Sequence, residues 1–216
     1  MLWTKSAGAI VGLSVGGAMC LAFLRRKRTL LFAIRLGLLL ALLLGFLLPF
    51  LAVRFSPLFL SEGERSSLAS RVMIWRTATD LLRSQWLFGI GPGAFEAEYL
   101  AAQPKYPPYL EWAVPQPHNL FLAFWLETGI VGLGVFLWLI AQSIWRMTLI
   151  AADDGSTAIR SVSFAAQGAL VALLVHGFVD TPYWKNDLAV VFLLLVVTMF
   201  VETEKRGEKF VSDVPQ

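Results

Sequence analysis

Two arginines, Arg71 and Arg76, stand close together in a long polar stretch between apolar runs. A guanidinium has a permanent charge and a planar fork of donors that matches phosphate oxygens. The pair suits a grip on a phosphorylated, membrane-embedded ligand. The plainer role, open to Arg65 and Arg83 as well, is snorkelling to lipid phosphates. Downstream, Gly89-Ile90-Gly91-Pro92-Gly93 alternates glycines, which lets backbone amides approach an anion or lets the chain turn sharply. No strand precedes it and no Gly-Lys-Ser/Thr follows, so it is neither a dinucleotide fingerprint nor a P-loop. His118-Asn119 falls where the polar stretch gives way to an apolar run. A neutral imidazole there can take a proton from a hydroxyl, or simply cap a helix at the membrane surface. Glu127 lies inside the apolar run, where a carboxylate needs a cavity, an arginine or another polar partner. His176 and Asp180 have the i,i+4 spacing of a helical pair, as a structural hydrogen bond or as part of a site. Tyr106, Tyr109 and Trp112 suit either sugar stacking or the aromatic belt of a membrane interface. With no HExxH and with Cys20 as the one cysteine, neither a metal site nor an internal disulfide is expected, and no cofactor is implied.

The elements that must position these residues are membrane helices. Of the 216 residues 57% are hydrophobic and only 15% are charged. The mean hydropathy is +0.66. The apolar residues are gathered in runs near the roughly 20 residues a bilayer-crossing helix needs. The reading is an all-α integral membrane protein with about five transmembrane helices, near 8–24, 29–53, 119–145, 161–179 and 188–201. Residues 1–201 form one membrane domain and 202–216 a charged cytoplasmic tail. Gly8, Gly12, Gly16 and Gly17 give the first helix a small-xxx-small face for close helix packing. The basic residues Arg25, Arg26, Lys27, Arg28, Arg146, Arg160, Lys205, Arg206 and Lys209 mark one side as cytoplasmic, which leaves the loop 54–118 outside. The net charge of +3 is spread over these connections and does not form a nucleic-acid face. An external N-terminus directly before a first helix is unusual, and hints at further helices upstream.

Within the loop, Glu64 to Trp86 reads as an amphipathic helix, with Ser61 and Glu64 as a capping box. Leu68, Val72, Trp75, Thr79, Leu82 and Trp86 form its apolar stripe, with Arg71 on one flank and Arg65, Arg76 and Arg83 on the other. Such a helix suits the plane of the membrane interface.

The ordered set Arg71-Val-Met-Ile-Trp75, Gly89-Ile-Gly-Pro-Gly-Ala-Phe95, Pro117-His-Asn-Leu-Phe-Leu122 and Glu127-Thr-Gly-Ile-Val-Gly-Leu133 resembles the O-antigen ligase and O-antigen polymerase family of bacterial inner-membrane glycosyltransferases. His176-Gly-Phe-Val-Asp180 and Asn186-Asp-Leu188 look like the C-terminal part of such proteins. The chain therefore resembles the C-terminal half of a longer family member, and Ala7 stands where the family often has an arginine. The resemblance implies metal-independent transfer of a glycan from an undecaprenyl diphosphate carrier to an acceptor hydroxyl, in lipopolysaccharide or other polysaccharide biosynthesis at the outer face of the cytoplasmic membrane. It implies His118 and Arg71 as catalytic residues. It also implies Arg76, Gly89, Gly91, Gly93, Asn119 and Glu127 as substrate-binding residues. The implied partners are a lipid-linked glycan donor, an acceptor that is a lipid, a glycan or a protein, the membrane itself, and an upstream membrane half. Two alternatives stand beside it: a non-catalytic or truncated subunit that needs a missing N-terminal half, and a small membrane transporter.

Overall fold

The computed structural model describes residues 7–24, 40, 43–56, 66–105, 114–152, 157–181, 189–190 and 192–193. All regular structure among them is helical. Helix α1 spans Ala7–Leu24, α2 Leu43–Arg54, α3 Ser67–Gln85, α4 Phe95–Ala102, α5 Leu120–Ala152 and α6 Thr157–His176. The expected helix at 188–201, the first part of the run 29–53, Tyr106, Tyr109, Trp112 and the tail fall largely or wholly outside the described residues.

Helices α1 and α6 run antiparallel at a distance only glycine permits. A Cβ added to Gly12 would lie 2.5 Å from the Ala172 carbonyl oxygen, and one added to Gly16 would lie 2.3 Å from that of Gly168. Gly8 lies against the side chains of Val179 and His176, and the Cys20 thiol donates to the Phe164 carbonyl at 3.3 Å. The expected small-residue face is therefore real at Gly8, Gly12 and Gly16. Gly17 departs from it, with nothing near its absent side chain, because it points off the shared face.

Helix α3 differs from an interfacial cover. It begins at Ser67 and not at Glu64, because Ser66 is extended (φ −112°, ψ 150°) and its hydroxyl caps the Ala69 amide at 3.0 Å. Ser61 and Glu64 lie outside the described residues. Its middle turns are buried beyond the expected stripe: Met73, Ile74, Thr77 and Ala78 are enclosed along with Val72, Trp75, Thr79 and Leu82, while Leu68 and Trp86 are exposed. Packing decides this. Val72, Ile74, Trp75, Ala78 and Leu82 form one core with Phe95 and Tyr99 of α4, Leu122 and Leu126 of α5 and Ala52 of α2. A second core joins Leu120, Phe121, Leu133, Phe136 and Ile140 of α5 to Ala166, Leu170 and Leu174 of α6.

Helix α5 carries past the expected end at 145 and is broken at Gly129 (φ 70°, ψ −176°). In an unbroken helix the Ile130 amide would bond to the Leu126 carbonyl. Here the Ile130 amide donates to Leu87 O at 3.2 Å, and Leu126 O accepts from the Ile90 amide at 2.6 Å. The loop after α3 is thus clasped into the break. Gly89 and Gly129 make the clasp possible: both have positive φ, and a Cβ on either would lie 2.2 or 2.1 Å from the opposing carbonyl oxygen. One helix, Leu120–Arg146 at 27 residues, is long and apolar enough to cross a membrane; Gly8–Leu21, Leu43–Arg54 and Phe164–His176 are shorter apolar helices. Of the five crossings expected from the sequence, the first part of the second and most of the fifth lie outside the described residues.

Candidate active site

The start of α1, the start of α5 and the end of α6 meet at one end of the bundle. The Leu120 amide donates to the Gly177 carbonyl at 2.7 Å, and Gly8 abuts His176. Two anchors hold the segment leading into α5. Trp75 of α3, fully buried, donates its indole N–H to the Pro117 carbonyl at 2.8 Å. Asn119, also fully buried, accepts from the Leu122 amide at 2.9 Å and donates to the carbonyls of Gly45 and Phe178 at 3.2 and 3.0 Å. With both neighbours fixed, His118 takes up the remaining turn at φ 49°, the single positive-φ residue other than glycine among the described residues. That conformation costs a non-glycine residue about 1–3 kcal/mol and recurs at functional sites.

His118 opens into a cavity of about 350 Å³ lined by Arg71, Pro115, Gln116, His118 and Asp180. Asp180 is the hub of its polar wall. One carboxylate oxygen lies 3.3 Å from His118 Nδ1 and accepts the Thr181 amide at 2.8 Å; the other lies 3.6 Å from His176 Nε2. Asp180 is 17% exposed and His118 39%, so the carboxylate is set back and the imidazole faces the cavity. With Nδ1 turned to the carboxylate, Nε2 is the nitrogen left for chemistry. On the same cavity, Arg71 Nε donates to the Val179 carbonyl at 2.9 Å, and Nη1 donates to the Ser67 carbonyl at 3.1 Å and to the Ser67 hydroxyl. These bonds aim the guanidinium and leave Nη2 without a partner among the described residues. A guanidinium, an imidazole and a carboxylate around one open cavity can bind an anion and move a proton beside it.

A family model described as O-antigen ligase matches residues 1–137. The chain belongs to the O-antigen ligase family. Membership places it in O-antigen and polysaccharide biosynthesis, with lipid-linked glycan substrates and a membrane setting. No curated protein matches the chain. The family match spans Arg71 and His118, while His176 and Asp180 lie beyond it.

In this O-antigen ligase family member, Arg71 and His118 of the sequence-derived set meet in the cavity. The others do not line it. Arg76 donates to the hydroxyl of buried Ser56, just past α2. Gly89 serves the clasp; Gly91 and Gly93 have positive φ with open space where a side chain would stand. Asn119 spends its amide on the backbone of three elements. Glu127 is buried just before the break in α5. Arg83 pairs with Asp80 at 2.8 Å on an exposed surface. Sequence reasoning tied Asp180 to His176 only and missed its approach to His118 across 62 positions, for which helical spacing gives no signal. Pro115, Gln116 and Thr181 carried no signal beyond their neighbourhood to His118 and Asp180. Among the described residues, no group of three or more His, Cys, Asp or Glu side chains is arranged to hold a metal ion.

Proposed function

We propose that this chain transfers a glycan from an undecaprenyl diphosphate carrier to an acceptor hydroxyl at the outer face of the cytoplasmic membrane. One observation carries the reading: Arg71 and His118, far apart in sequence, face one cavity with Asp180 behind the imidazole. In the proposed step His118 Nε2 takes the proton of the acceptor hydroxyl as its oxygen bonds to the anomeric carbon. The bond from that carbon to the diphosphate oxygen breaks, and the electron pair leaves with undecaprenyl diphosphate. The Arg71 fork neutralises the charge that builds on the leaving oxygens, and Asp180 stabilises the imidazolium. The acceptor is a lipid, a glycan or a protein; each presents the same hydroxyl chemistry.

The membrane arrangement supports the same reading. The cavity lies at the end shared by the first turn of α1, the start of α5 and the close of α6. Arg146 and the start of α6 lie toward the other end, where the last turn of α1 also falls; the sequence follows that turn with Arg25, Arg26, Lys27 and Arg28, the composition of a cytoplasmic side. Exposed Leu13, Leu21, Leu44, Val131, Val135 and Trp138 give the helices an apolar outer surface suited to lipid. On this basis the chain is a multi-pass membrane domain with the loop 54–118 outside, and the lipid-linked donor reaches the cavity from the outer leaflet. The test is His118→Ala in the membrane-inserted protein. Glycan transfer should fall by about 10²–10⁴-fold with insertion unchanged; transfer at the wild-type rate would sink the assignment.

A further inference from the structure

The cavity contains one polar side chain that the proposed step does not use. Gln116 forms part of the wall beside His118, and one end of its amide is held by the hydroxyl of Thr181. Thr181 is fully buried, and its own amide is tied to Asp180 at 2.8 Å. The tether therefore has no freedom to swing. A glutamine amide carries an acceptor and two donors in one plane. With Oε1 accepting from the Thr181 hydroxyl, the Nε2 donors have no partner among the described residues, on a side chain that lines the cavity. It is neutral, so it adds little to the hold on a diphosphate. What it fits is a neutral polar group of fixed direction, such as a ring hydroxyl or an acetamido group of a sugar.

The dimensions limit which sugar. At about 350 Å³ the cavity is near the small end of ligand pockets. Arg71 takes the diphosphate on one side, and Pro115 adds an apolar wall against which the C–H face of a pyranose can rest. That leaves room for the sugar bonded directly to the diphosphate, with the remainder of the glycan extending through the open mouth.

We infer that Gln116, held by Thr181, is a specificity-determining residue that hydrogen-bonds the first, diphosphate-linked sugar of the glycan donor. This rests on the proposed function, and the two can fail separately. The test uses the full protein in lipid nanodiscs and two probes: sugar-free undecaprenyl diphosphate, and undecaprenyl diphosphate carrying one N-acetylhexosamine. Wild type should bind both, and Arg71→Ala should weaken both. Gln116→Met, which keeps the volume and removes the amide, should weaken the sugar-bearing probe by about threefold to tenfold, the loss of one neutral hydrogen bond, and leave the sugar-free probe unchanged. Thr181→Val should shift affinity in the same direction on the sugar-bearing probe alone, since it frees the amide without removing it. Equal affinity of Gln116→Met and wild type for the sugar-bearing probe overturns the inference, as does equal weakening of both probes. Binding of both probes that does not depend on Arg71 overturns the proposed function instead.

Discussion

Arg71 differs from an ordinary interfacial arginine in how its donors are distributed. Nε and Nη1 are consumed by Val179 and Ser67, which fixes the plane of the fork on the cavity wall and leaves Nη2 without a partner among the described residues. Lysine has the charge without the fork and cannot hold both backbone anchors while meeting a phosphate. Arg71→Lys should therefore lower kcat/KM for glycan transfer by about 10²–10³, the range for loss of one aimed transition-state donor. A steady-state assay with a lipid-linked donor checks this, and near-wild-type turnover would mean that charge alone suffices. At this scale the sequence revealed residue types and missed most of the geometry. Arginine and histidine announced themselves by being costly near a bilayer. Asp180 looked like a partner of His176 because the i,i+4 rule reaches only along one helix; its approach to His118 depends on where two chain segments cross. Asn119 sat beside His118 in the motif and read as a ligand contact, whereas the fold needs its whole amide to join α2, α5 and the turn after α6.

Among the elements, α3 and α5 decide how far Arg71 stands from His118. Trp75 ties α3 to the segment before α5, and the clasp at Gly89 and Gly129 ties the other end of α3 to the break in α5. A side chain at Gly129 meets the Leu87 carbonyl at 2.1 Å and must also adopt positive φ. Gly129→Ala should destabilise the protein by about 1–3 kcal/mol, seen as a lower melting temperature in detergent. An unchanged melt would show that the break is dispensable. Hydropathy was enough to find α1 and α6, because apolar helices are written in composition, and the glycine spacing marked a face of α1 for close packing without naming α6 as its partner. The break in α5 was not visible: Gly129 stands in an apolar run, and nothing local says that a distant loop will take over the hydrogen bonds of that turn. The burial of α3 was underestimated for a related reason. Ile74 and Ala78 fall off the periodic stripe and pack with residues of α2, α4 and α5, which periodicity within α3 does not register.

For the molecule as a whole, the proposed orientation puts the cavity end outside and Arg146 near the cytoplasm. A Cys20→Ser background with a single cysteine at Ala97, exposed on α4, should react with a membrane-impermeant maleimide in cells whose outer membrane is permeabilised. A cysteine at Ser156, between α5 and α6, should react only once the inner membrane is opened; labelling of both in closed cells would invert or abolish the topology. The proposed sidedness rests on arginine and lysine counts alone, while the burial of α3 was not legible in the sequence, since a polar stretch gives no hint that its central helix will bury its flanks. The exchange of hydrogen bonds at Gly129 has a consequence for how the contact can open. The Ile130 amide donates to the Leu87 carbonyl while the Leu126 carbonyl accepts from the Ile90 amide, so lifting the turn around Gly89 away strips both groups at once. A polar backbone group left unpaired away from water is costly. The turn and the break therefore come apart together or not at all, an all-or-none joint between α3 and α5.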